Sequence, residues 1–201
     1  MEKLFTRDDV WNGGFYELCF ELSESSEKAA QNALTALWST PSLEGCYLRN
    51  DVEPGEQQKV SPLDIPSEGH KYGIATLPIG KCCACGSYTS NYEADGWWVN
   101  LYLPLGSLNT VYPVGAYPFV DKTQPSPEGW LKPVNEWYKD IAEYLYPQLL
   151  FTIGIIGFET GFVSHKEQAL RTVPEERWEG ILLPINGKLK WYPPTIYLPQ
   201  F

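Results

Sequence analysis

The chain has 201 residues, enough for one large domain or two small ones that share a core. Apolar residues make up 43% and charged residues 20%, which excludes a disordered polymer. A formal net charge of −10 excludes the basic footprint that nucleic acid demands and disfavours an anionic membrane surface; it favours a basic protein or a cationic ligand, and it keeps a protein soluble.

Met1 to Asp9 carry no apolar stretch of the secretory type, and the most apolar run, Leu149 to Phe158, is about half of what a spanning helix needs. Five cysteines are an odd number for a disulfide framework, so the expected compartment is the cytoplasm.

The turn signal Asn12-Gly13-Gly14 precedes the first predicted strand, Phe15 to Leu22, in which Tyr16, Leu18, Phe20 and Leu22 face one side and Phe15, Glu17, Cys19 and Glu21 the other. Ser23 to Ser26 offers an N-cap for a helix with Ala30, Ala33, Leu34, Leu37 and Trp38 at helical spacing, which Thr40-Pro41 stops. A short strand over Gly45 to Arg49 leads into a polar loop from Asn50 to His70. Tyr72 to Thr76 reads as strand, Leu77 to Lys81 as a strand edge or bulge around Pro78, and Ser87 to Asn91, after the cysteine cluster, as a further strand or hairpin arm.

Gly96 to Leu105 is the richest strand former, and the chain is organised around it. Trp97, Val99, Leu101 and Leu103 form a core face; Trp98, Asn100 and Tyr102 form an aromatic and polar one. Asn109 to Lys132 is a second long loop. Pro133 fits the first position of a helix whose stripe is Val134, Trp137, Tyr138, Ile141, Tyr144 and Leu145. A buried strand follows from Leu149 to Phe158, then a short helix over His165 to Arg177. Two strands flanking Asn186-Gly187 make a two-residue hairpin.

Gly73 to Lys81 and Gly180 to Lys188 read alike, and each follows a strand, a helix and another strand. The expected fold is therefore α+β: a single domain over residues 1–201, with pseudo-repeat halves at about 1–95 and 96–201. It is a two-layer sandwich in which a mixed or antiparallel sheet carries two main helices on one face, as a duplicated β-α-β-β unit of ferredoxin-like type.

Three constellations carry chemistry. Cys82, Cys83 and Cys85 invite a metal, but only Cys83 and Cys85 share a face of an extended chain, and Cys19, Cys46, His70 and His165 show no ligand spacing; neither a metal nor a cofactor is expected. No nucleophile elbow, P-loop or dinucleotide fingerprint occurs, so an enzyme ranks last and would centre on His165 and Glu159. If the first strands of the two halves are neighbours, Glu17, Glu21, Trp98, Asn100 and Tyr102 share the face away from the aliphatic core, and carboxylates beside ring faces suit a cation. This arrangement resembles duplicated ligand-binding modules of the GyrI-like type, which carry repeated strand–helix–strand–strand units.

The leading functional expectation is a binding protein without catalysis, an acidic immunity- or antitoxin-like chain that neutralises a basic partner. The alternative is a sensor that holds a small cationic or aromatic molecule in a cleft between the halves.

Overall fold

The structure, a computed structural model, describes residues 3–64, 66, 69–92, 96–119, 126–160 and 173–197. Among them, eight strands form one sheet: β1 (Phe15–Leu22), β2 (Leu43–Tyr47), β3 (Lys71–Thr76), β4 (Cys82–Tyr92), β5 (Gly96–Pro104), β6 (Phe151–Phe158), β7 (Gly180–Ile185) and β8 (Lys188–Tyr192). Their order is β2-β3-β4-β5-β1-β6-β7-β8, and each neighbouring pair is antiparallel, so of the two expected sheet types the antiparallel one is present. The helices are α1 (Glu27–Trp38), the four-residue α2 (Leu105–Leu108) and α3 (Glu128–Leu145). No described helix is long and apolar enough to cross a membrane.

Alternation sets the core. Tyr16, Leu18 and Phe20 of β1 and Trp97, Val99, Leu101 and Leu103 of β5 enter one buried cluster, as the spacing predicts. The apolar stripes of α1 and α3 enter the same cluster, so both long helices pack on that face of the sheet. Burying each Val or Leu of this set contributes about 1.5–3 kcal/mol.

Ser26 caps α1 by accepting from the Ala29 N–H at 3.0 Å. At the other end of the helix, Trp38 lies over two glycines paired across β2 and β3, Gly45 and Gly73. A Cβ on Gly73 would come to 2.2 Å from the indole ring, and one on Gly45 to 2.6 Å. The indole N–H donates to Ser87 Oγ of β4 at 3.0 Å, so a single side chain seats α1 on three strands.

Three expectations are corrected. Pro133 does not start its helix; α3 begins at Glu128, because Trp130 and Leu131 extend the buried stripe upstream. The carbonyl that the proline cannot satisfy belongs to Gly129, which has open space around it. Tyr144 is exposed, since Ile141 and Leu145 already occupy the inward side of the last turn. Leu77 to Gly80 is neither strand edge nor bulge but a tight turn: Leu77 N–H donates to Lys81 O and Gly80 N–H to Leu77 O, with Gly80 at φ +77°. The helix expected over His165 to Arg177 falls largely outside the described residues, and 173–177 are not helical. Asn186 and Gly187 take the positive φ values of 53° and 75° that the two-residue hairpin requires.

The chain order strand–helix–three strands occurs twice, if the short α2 is counted with α3, but the two passes are wired differently. α1 carries the chain to the far edge of the sheet, from which β2, β3 and β4 step inward; α3 crosses β1 alone, and β7 and β8 step outward. Both similar segments, Gly73 to Lys81 and Gly180 to Lys188, span a strand and the turn after it.

Candidate functional site

The pairing of β1 with β5 sets Glu17 opposite Tyr102, Cys19 opposite Asn100 and Glu21 opposite Trp98. The five expected residues are thereby brought together on the face away from α1 and α3. All are buried: Trp98 and Glu21 are 6% exposed, Glu17 2%, Asn100 and Tyr102 1%. This face is thus more covered than the partly open surface that alternation alone suggests.

Two clusters account for part of that cover. Beside β2, β3 and β4, the N-terminal segment folds back so that Phe5, Val10 and Trp11 pack on Tyr47, Tyr72, Ile74 and Ala84. Glu53 holds that segment in place by accepting from the N–H groups of Leu4, Phe5 and Thr6. Burial pushes the Glu53 carboxyl up, but those donors outweigh it and hold the group below its ordinary value. Beside β6 and β7, Cys19 and Trp98 pack on Ile153, Ile155 and Ile181.

Between the two clusters lies a polar and aromatic patch. The Tyr88 hydroxyl donates to Glu17 Oε2 at 3.3 Å. The Tyr102 hydroxyl and His70 Nδ1 are 2.8 Å apart. The His70 ring lies 5.1 Å from Tyr88, 5.5 Å from Tyr102 and 6.3 Å from Tyr72, centroid to centroid. Tyr102 lies over Gly86, where a Cβ would come to 2.3 Å from the phenol. Glu21 accepts from Thr152 Oγ1, and Cys19 Sγ lies 3.0 Å from Thr160 Oγ1. Asn100 Nδ2 donates to Tyr88 O at 3.4 Å, while its Oδ1 is buried with no hydrogen-bond partner among the described residues.

Electrostatics set the charge states. Burial drives the Tyr102 hydroxyl far above its ordinary range, so it stays protonated. Burial, then the charge of Lys71, lowers His70 and favours the neutral ring. Both groups are therefore neutral, and the bond between the phenol and Nδ1 takes its direction from the tautomer of the ring.

His70, Tyr72 and Tyr88 were not among the expected site residues. His70 reads as a loop residue in the sequence. It sits two positions before Tyr72, on the same parity, and Gly86 is the small residue that makes room for a ring from the next strand; those are the signals that point to the cluster. His70 is exposed and Tyr72 and Tyr88 are half-buried, so these three form the accessible rim.

The patch sets ring faces beside a carboxylate. His70 bonds to a phenol, whereas general-base chemistry calls for an imidazole oriented by a carboxylate. His165 lies outside the described residues. All five cysteines are free. Cys83 and Cys85 point into the core and Cys82 outward, as alternation predicts, and burial pushes Cys83 up to about 12. No group of three or more His, Cys, Asp and Glu side chains that could hold a metal ion occurs among the described residues.

A cavity of about 660 Å³ opens at the end of the sheet where β1 starts and β5 and β6 finish; its lining includes Asp9, Gly14, Tyr117, Phe119, Phe158 and Glu159. Compared with known proteins, the chain matches no family model, no curated protein and no solved structure. These comparisons give the expected resemblance to GyrI-like modules no support, and each pass of the chain has one strand more than the expected unit.

Proposed function

We propose that the protein is a non-catalytic binding protein that captures a basic protein partner, as an immunity or antitoxin-like protein does. The observation that carries the reading is the rim of His70, Tyr72 and Tyr88 around Tyr102 and the Glu17 carboxylate. Ring faces backed by a carboxylate attract Arg and Lys side chains. Charge supports the same reading. Arg7, Arg49, Lys59 and Lys139 each pair with a carboxylate of their own chain, and the surplus of ten negative charges remains. An intracellular site of action belongs to the proposal and is supported by five cysteines without a disulfide.

The test is affinity capture from the source cell with the full chain, followed by binding kinetics with the purified partner. The expected partner is basic, its association slows about tenfold or more as salt is raised, and Tyr88→Ala weakens binding by about tenfold. Capture of acidic proteins alone, or full affinity in Tyr88→Ala, would overturn the reading.

A second reading is favoured by the cavity at the end of the sheet. Asp9 to Gly14 come from the first half of the chain and the remaining lining from the second, as a ligand-sensing module with a cleft between halves requires. A volume of about 660 Å³ suits a small cationic or aromatic molecule.

For the fold we propose a ferredoxin-like core in a two-layer arrangement. The central order β4-β5-β1-β6, with α3 crossing over β1, supports that assignment. Duplication is supported by the recurring element order and opposed by the unlike wiring of the two passes.

A further inference from the structure

The cavity at the end of the sheet has two carboxylates and three rings, and its parts are unequal. Asp9 is paired with Arg7. Glu159 makes no side-chain hydrogen bond or ion pair among the described residues. Its backbone is left-handed at φ 47°, rare for a residue with a side chain, and its N–H donates to Phe15 O at 2.9 Å. Gly14, at φ +81°, makes the arrangement fit: a Cβ there would come to 2.6 Å from Glu159 Oε1 and 2.8 Å from the Phe158 ring. Tyr117 is a fixed wall, edge-on to Phe158 at 5.9 Å and to Trp130 at 5.0 Å. Phe119 is 73% exposed on the lip.

We propose that this cavity anchors an arginine side chain of the basic protein partner, with Glu159 taking the guanidinium and Tyr117 and Phe158 flanking it. The inference rests on the partner reading above and names the site that reading lacks. A planar, delocalised guanidinium stacks on rings and meets a carboxylate through two parallel bonds, which a lysine ammonium does not. A protein is preferred to a small molecule because the chain's net charge of −10 favours a basic polypeptide and Phe119 stands 73% exposed at the mouth of the cavity, where a second residue of that polypeptide would lie. The cavity opens beside the first residues of β1, and Glu17 and Tyr102, which the rim surrounds, lie at that same end of the sheet. One partner surface spans both.

The test uses the full chain and three peptides, acetyl-Gly-Arg-Gly-amide and its lysine and citrulline counterparts, followed by NMR of backbone amides. The arginine peptide is expected to shift the amides of Gly13 to Phe15 and Gly115 to Phe119, the lysine peptide to bind more weakly, and the neutral citrulline peptide to leave them in place. Glu159→Gln is expected to weaken binding by about fivefold or more, and Phe119→Ala to weaken capture of the partner while leaving the tripeptide unaffected. Both positions are exposed, so both variants should keep the wild-type unfolding temperature. An equal response to citrulline, or unchanged binding by Glu159→Gln, overturns the proposal. So does agmatine binding about tenfold tighter than the peptide, which makes the cavity a small-ligand site. A basic partner held equally by wild type and Glu159→Gln sinks the anchor and leaves the partner reading standing. Glu159-dependent arginine binding in a chain that captures no basic protein keeps the site and sinks the partner reading.

Discussion

His70 couples the candidate site to pH. Its pKa is lowered from the ordinary 6.5, by burial first and by Lys71 second. Above pH 6.5 the ring is neutral in both folded and unfolded chains and adds no pH dependence. As pH falls below 6.5 the unfolded chain takes the proton first, so stability drops until the lower folded value is passed. Denaturant midpoints at pH 7.5 and pH 5 should therefore differ more for wild type than for His70→Gln; equal slopes would remove His70 from the account. The thiols make a second residue-scale prediction. Cys82 alone is exposed, while Cys19, Cys83 and Cys85 are buried and pushed away from thiolate. A thiol reagent should therefore titrate one group quickly in the folded protein and five after unfolding.

Among the elements, α1 shows how local the register of helix on sheet is. Trp38 needs Gly45 and Gly73 bare beneath it, and a methyl group on Gly73 has no room. Gly73→Ala should cost about 1–3 kcal/mol in denaturant unfolding, whereas Gly55→Ala, with nothing within 4 Å, should stay within about 0.5 kcal/mol of wild type. Elements whose evidence lies within a dozen residues were legible from sequence: the alternation of β1 and β5, the Ser26 cap of α1 and the Asn186-Gly187 hairpin. Those decided by distant packing were not. The start of α3 depends on Trp130 and Leu131 finding the core, and Tyr144 lost its place to Leu145. The same division runs through the candidate site. Glu17, Glu21, Trp98, Asn100 and Tyr102 share a face by parity alone, once β1 and β5 are neighbours. His70 and Tyr88 join them only through the pairing of β3 with β4 and of β4 with β5, which no spacing within one strand reveals.

At the scale of the molecule, the sheet decides how the chain divides. β1 pairs with β5 and β6, both from beyond residue 95, and with neither β2, β3 nor β4. The two sequence halves are therefore interleaved, whatever their ancestry. A fragment of residues 1–95 should lack a cooperative unfolding transition, and mixing it with a fragment of residues 96–201 should restore one; near-ultraviolet circular dichroism reads both. A self-folding first half would contradict the strand order.

That interleaving also sets a timetable for biosynthesis. The earliest strand to leave the ribosome is among the last to acquire neighbours, because about 80 further residues must emerge before β5 can align beside it and more than 130 before β6 can. Until then Tyr16, Leu18 and Phe20 lie on a strand with neither of its flanking partners in place. The nascent chain spends that interval with a sticky ribbon uncovered, and in a crowded cell it has reason to meet a chaperone there.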